Sequence, residues 1–234
     1  ERMIFLHRAS AVSTEIRAGD LEGGQEVLLH ENGVPLNYLV VHQGLPSDLY
    51  DASCEGTWLL RKDIYENRQW HSSNMNDYAN STIHSYLNST FLNLFDANII
   101  EAIKQVKIPY VNGTGSGGSV DSGANGLSCK IFLLSGYEAG FRTSDNQYFP
   151  VDGAKLSYFD AGTGSSALNK RIAKLNGSAT NWWLRSPYTS DTASAWRVLT
   201  NGNCNYSSCS VSFGLRPALI LPYDFTFQES EVAA

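Results

Sequence analysis

Short strands near both ends of the chain, helical segments between them and long polar connections predict an α+β domain with antiparallel sheets. Three observations carry that prediction. Asn32-Gly33 separates two apolar runs, as a tight hairpin turn does; residues 80–106 place apolar side chains at helical spacing; and the last third holds apolar runs of strand length. With 234 residues, 42% hydrophobic and 12% aromatic, the chain can bury a sizeable core and is too apolar to be disordered.

The elements follow in order. Residues 1–19, with Arg2, Arg8 and Arg17 among short apolar groups, read as a lead-in or linker, and Glu1 in place of Met reads as a piece of a longer chain. Residues 20–225 form the domain and 226–234 a tail. The first hairpin runs from Gln25 through Val27-Leu28-Leu29, turns at Glu31-Asn32-Gly33 and returns through Leu39-Val40-Val41. Both turn residues tolerate positive φ, which a tight hairpin needs. A strand is expected at Gly56 to Arg61. Ile83, Tyr86, Leu87, Phe91 and Leu94 then mark one face of a helix capped by Asn80 or Ser81. Ile99, Ile100, Ile103 and Val106 mark a second helix, ended by Pro109. Residues 112–126, rich in glycine, read as a flexible surface loop. Cys129 to Leu134 reads as a buried strand, Ala167 to Leu175 as a short helix, and Trp182–Arg185, Ala195–Leu199 and Val211–Leu221 as strands.

Composition removes several function classes. A net charge of −6 disfavours nucleic acid, because neutralising phosphates needs a Lys/Arg-rich face. No apolar run approaches the roughly 18–20 residues that span a bilayer, and no secretory leader is read. Four cysteines, Cys54, Cys129, Cys204 and Cys209, are sparse for a disulfide scaffold and contain no CxxC pair for zinc. Reduced thiols acting as small apolar residues account for them; a Cys204–Cys209 bridge across a turn is the alternative. Five scattered histidines have no metal-ligand spacing, and no nucleophile elbow, HExxH, dinucleotide or Walker motif occurs. His71, beside Ser72 and Ser73, reads as an ordinary polar or capping histidine. No catalytic residue, metal or cofactor is expected.

Residues 186–214 differ from the rest. Their interior is Ser, Asn, Thr, Tyr and Cys, while Asn181-Trp182-Trp183-Leu184-Arg185 before and Leu215-Arg216-Pro217-Ala218-Leu219-Ile220-Leu221 after are aromatic and aliphatic. Trp182-Trp183-Leu184-Arg185-Ser186-Pro187, Trp196 with Val198, and Gly214-Leu215-Arg216-Pro217-Ala218-Leu219 resemble the C-terminal signature of a bacterial and phage family with a C-type-lectin-like fold. Trp58-Leu59-Leu60, Ser85-Tyr86-Leu87-Asn88 and Ile131-Phe132-Leu133-Leu134-Ser135 follow the family's usual order, so the likeness covers about residues 20–222. Some members are variable proteins of diversity-generating retroelements, in which template adenines are mutated so that Asn codons become many others. The resemblance implies two helices, long irregular loops and a ligand-binding surface at the diversified positions.

Codon chemistry offers a second view of the same segment. Randomising both adenines of an Asn codon yields no Lys, Glu, Gln, Met or Trp. Lys, Glu, Gln and Met number 26 in the chain, yet none lies between Leu175 and Phe227. Trp196 would then be a fixed framework residue. Tyr supplies rigid amphipathic area and small polar residues supply adaptable hydrogen bonds, the composition of recognition surfaces.

Alternation in Trp196-Arg197-Val198-Leu199 buries Trp196 and Val198 and turns Arg197 and an exposed Leu199 outward. Tyr188, Ser190, Asp191, Thr192, Ser194, Asn203, Asn205, Tyr206, Ser208, Ser210 and Ser212 complete the expected face. The plainer account is a polar hairpin and loop. Trp182, Trp183, Leu184, Leu219 and Leu221 are expected in the core. Arg185 and Arg216 would bond carboxylates or carbonyls there, since an unpaired buried charge is costly.

A non-enzymatic receptor-binding module on a phage tail or bacterial cell surface follows, its ligand a protein or glycan of a host or target cell. A trimer would suit a tail fibre tip. One rival is an enzyme related to formylglycine-generating oxidases, whose copper needs paired cysteines, here Cys204 and Cys209. The other is a lectin, calcium-independent because the Glu-Pro-Asn, Gln-Pro-Asp and Trp-Asn-Asp motifs are absent.

Overall fold

A computed structural model describes residues 14–233. Ten strands build two five-stranded sheets: β1 (Glu26–Glu31), β2 (Val34–Gln43), β3 (Thr57–Arg61), β4 (Asn67–Gln69), β5 (Trp182–Pro187), β6 (Ser194–Val198), β7 (Cys204–Ser208), β8 (Ser212–Gly214), β9 (Ala218–Leu221) and β10 (Val232–Ala233). The first sheet has the order β9-β3-β2-β1-β10 and is antiparallel throughout. The second has the order β7-β6-β5-β8-β4, antiparallel except where Trp182 of β5 pairs in parallel with Gly214 of β8. The protein is a mixed α+β fold of mainly antiparallel sheets.

Local chemistry explains the first hairpin. Asn32 and Gly33 sit at φ +52° and +74°, the pair of left-handed residues that a two-residue turn matched to strand twist requires. β1 alternates half-buried and buried residues, whereas all of β3 is buried, as befits a central strand between β2 and β9.

The helical stretch is continuous but not uniform. Ser81 caps α1 (Thr82–Tyr86) by accepting the His84 N–H. A π turn at Leu87–Phe91 and a 3₁₀ turn at Leu92–Leu94 continue it, with Ile83, Leu87 and Phe91 buried. Asn88 in that π turn accepts from the Lys130 and Ile131 N–H groups and donates to the Ile131 carbonyl. α2 (Ala97–Ala102) buries Ile99, and α3 is Ser165–Arg171.

Several local expectations change. Lys174 and Leu175, expected in the Ala167–Leu175 helix, pair instead with Ser178–Ala179, and the expected strand Val211–Leu221 is split into β8 and β9, which lie in different sheets. Val106 belongs to a strand, Val106–Ile108, paired with Leu127–Cys129, because α2 already ends at Ala102. Residues 112–126 are not a free loop: Tyr110–Asn112 pairs with Ser119–Asp121 and a 3₁₀ turn follows at Gly123–Asn125. Ile131 to Leu134 is buried as expected, but only Phe132 bridges a strand, at Ala218. The expected lead-in 1–19 lies partly outside the described residues; its described part, Glu15–Arg17, pairs with Thr226–Gln228. The expected tail therefore supplies that partner strand and also β10, which edges the first sheet.

Candidate functional site

The frame around residues 186–214 is built from buried side chains, most of whose polar ends find partners; Arg216 Nη1 is buried without one. Trp182, Trp183 and Trp196 are buried, and their indole N–H groups donate to the carbonyls of Arg171, Arg68 and Tyr148 at 2.9, 2.9 and 3.2 Å. Arg185 is buried against Glu138 in a bidentate pair at 2.5 and 2.7 Å, and also donates to the carbonyls of Pro109, Leu133 and Asp152. Burial opposes its charge, yet Glu138 holds the guanidinium pKa above its ordinary value. Tyr50 donates to the same glutamate at 2.7 Å. Next along β5, Ser186 Oγ lies 2.8–2.9 Å from both carboxyl oxygens of buried Asp152 and accepts the Gly136 N–H. Arg216 donates to the Arg61 carbonyl and lies 4.9 Å above the Trp182 ring; burial lowers its pKa to about 10. Leu184, Leu219 and Leu221 are buried too.

β6 and β7 then divide the expected face in two. Trp196 pairs with Tyr206 and Arg197 with Asn205. Directly opposed residues share a side and successive residues alternate, so Tyr206 lies on one side of the sheet and Arg197 on the other. On the first side Tyr188 stacks on Tyr206 at 3.9 Å, meets Trp196 edge-on at 5.4 Å and leans on Tyr148 at 5.0 Å. Trp196 in turn stacks on Phe149. Tyr188 is half-buried; its hydroxyl pKa is raised by burial first, and then by Tyr206. On the second side the Arg197 guanidinium lies 4.2 Å above the Phe213 ring. Its Nε is buried without a hydrogen-bond partner, and burial lowers its pKa.

The remaining expected residues fall into distinct roles. Ser190, Thr192, Asn205, Tyr206 and Ser212 are exposed, and Tyr206 is 43% so. Ser194, Asn203, Ser208 and Ser210 are half-buried. Leu199, expected to be exposed, is also half-buried, in the turn that its N–H closes on the Asn203 carbonyl. Asp191 uses one carboxyl oxygen to accept the Ala193 and Ser194 N–H groups, a local turn. Asn203 and Asn205 accept the N–H of the next residue along edge strand β7, at 2.8 Å each. That leaves fewer free donors on an edge where another chain could pair. Ser208 Oγ donates to Asn74 Oδ1 at 2.6 Å.

Sequence reasoning missed β7 and the residues that surround the segment from outside it: Asn74, Asn76, Gly115, Tyr148 and Phe149. Only the glycine-rich run at 113–118 carried a signal, and it read as a loop.

The four cysteines are free thiols, so the Cys204–Cys209 bridge does not form. β7 runs from Cys204 to Ser208, and four extended residues span roughly 14 Å. With Cys209 beyond its end, the two sulfurs do not converge on one copper ion. Burial raises both thiols, Cys204 to about 11. His71 is buried and its Nδ1 accepts the Ser73 N–H. Among the described residues no cluster of three or more His, Cys, Asp or Glu side chains is placed to hold a metal, and no helix is long and apolar enough to cross a membrane.

A family model described as a domain of unknown function, DUF6273, matches residues 55–223. Comparison with curated proteins and with solved structures yields no match.

Proposed function

The chain belongs to the DUF6273 family; we propose that it is a non-enzymatic receptor-binding module of the C-type-lectin-like kind. Residues 186–214 are its diversifiable surface, displayed on a phage tail or bacterial cell surface. The ligand is a protein or glycan on a host or target cell. One observation carries this: the exposed Tyr206 ring stacked on Tyr188, which is itself braced by buried Trp196. Aromatic area already held in place loses little conformational freedom on binding. Exposed Ser190, Thr192, Asn205 and Ser212 add adaptable polar groups. The residue types missing between Leu175 and Phe227 support diversification of the same stretch.

Two experiments test the proposal. Sequencing the gene's neighbourhood should reveal a near-identical template repeat beside a reverse transcriptase gene, mismatched at adenines within codons 186–214; a neighbourhood with neither rejects diversification. Purified protein should adhere to bacteria from its own community, and Y188S/Y206S should lose most of that adhesion while staying folded. Unchanged adhesion by the double variant would reject this face as the binding site.

A further inference from the structure

We infer that the loop at residues 188–194 is held through its main chain by residues outside 186–214, with Asn76 as the positioning residue. Loop side chains that make no bonds of their own can therefore change without moving it. Asn76 is fully buried. Its side-chain N–H groups are shared among the carbonyls of Tyr188 at 3.2 Å, Asp191 at 3.1 Å and Ser194 at 2.7 Å. Its Oδ1 accepts the Gly115 N–H at 2.8 Å, which fixes which way the amide faces. Its own N–H donates to the Thr192 carbonyl at 2.9 Å. One residue thus engages four carbonyls of a seven-residue loop.

The neighbouring segments act in the same manner. Ser116 N–H donates to the Asp191 carbonyl at 2.9 Å. Gly115 packs so closely that a Cβ there would lie 2.4 Å from the Tyr188 carbonyl oxygen, so only glycine fits beside the loop. The loop closes on itself by a Tyr188 N–H to Ser194 carbonyl bond at 2.9 Å. Farther on, the His71 N–H donates to the Cys209 carbonyl and the Gln69 side chain to the Ser210 carbonyl. Carbonyls are the same in every residue type, so these contacts survive substitution. Two loop side chains are exceptions: Asp191, through its turn bonds, and Thr189, whose hydroxyl donates to the Tyr148 carbonyl at 3.0 Å. Ser190, Thr192 and Ser194 are the replaceable positions.

The inference goes beyond the binding proposal, and hydrogen exchange tests it without any ligand. In the intact protein the Gly115 and Ser116 amides should exchange slowly. N76A should speed both by about tenfold or more while amides of β3 stay protected, the pattern of local opening. N76D keeps the acceptor for Gly115 and loses the donors, so it should free Ser116 more than Gly115. S190A/T192A/S194A should leave both rates within about twofold, because no main-chain contact is removed. Should N76A fail to fold, G115A tests the same clamp by pressing on the Tyr188 carbonyl and on Asn76 Nδ2, 3.0 Å from the added Cβ. Equal acceleration by the triple variant, or unchanged rates in N76A or G115A, would overturn the inference. Loss of cell adhesion in Y188S/Y206S with unchanged exchange would leave both conclusions standing, whereas retained adhesion would remove only the binding site.

Discussion

Arg185 and Tyr188 stand three residues apart in sequence, one inside β5 and one just past its end, and opposite means hold them in place. Arg185 is anchored by its side chain, which binds Glu138 twice and three carbonyls besides. Tyr188 begins a loop anchored by its carbonyls, which Asn76 and its neighbours collect. The difference teaches where sequence is constrained. In the frame the identity of the side chain is the bond; in the loop, Thr189 and Asp191 apart, the bond is common to all residues and identity at Ser190, Thr192 and Ser194 is free for recognition.

The largest effect that could break this contrast is at Arg185. R185L leaves Glu138 buried with only the Tyr50 hydroxyl and the Ser135 N–H, and should cost about 3–5 kcal/mol in denaturant unfolding. R185L/E138L should recover part of that loss, since a neutral pair leaves no stranded charge. A single variant as stable as the parent would show that the frame does not depend on this pair.

A second effect concerns pH. The Asp152 carboxyl is raised to about 7, by burial first, against the lowering influence of Arg185 and Ser186; Glu138 raises it further. In the unfolded chain it titrates near ~4. Its stabilising contribution is thus fully present below about pH 4 and falls as pH rises through about 7, on the order of 1.4 kcal/mol per pH unit. D152N should flatten that slope in chemical denaturation at successive pH values. A slope unchanged in D152N would place the titration elsewhere, and the other groups facing the site are Glu138, Arg185 and Tyr50.

Smaller effects sharpen the contrast from the loop side. Y206A removes one ring of the stacked pair and should cost about 1 kcal/mol. T192A, at an exposed position with no packing to lose, should stay within about 0.5 kcal/mol. A T192A loss comparable with that of R185L would erase the distinction between frame and loop.

Local signals made much of the fold legible. Asn32-Gly33 announced its turn because both residues suit the backbone angles it needs, and Asn80-Ser81 announced a helix because either side chain can cap a first turn, a role that Ser81 takes. The frame was legible because Trp, Leu and Arg in one run must be buried and must be paired. That Glu138 is the partner was not legible, since it lies 47 residues away from Arg185. β7 was hidden because an edge strand of Asn, Tyr and Ser has the composition of a loop. The split between Tyr206 and Arg197 needed the β6–β7 register, which no residue in either strand reveals alone. Asn76 was invisible for a similar reason: a single asparagine carries no pattern, and its importance comes from the carbonyls that the fold brings to it.

The most direct test compares all substitutions at frame and loop positions by the yield of protease-resistant protein. Trp182, Trp183, Arg185, Asn76 and Gly115 should tolerate almost none, Asp191 should accept only residues able to close its turn, and Ser190, Thr192, Asn205, Tyr206 and Ser212 should tolerate most. Loop positions as intolerant as Arg185 would contradict the account.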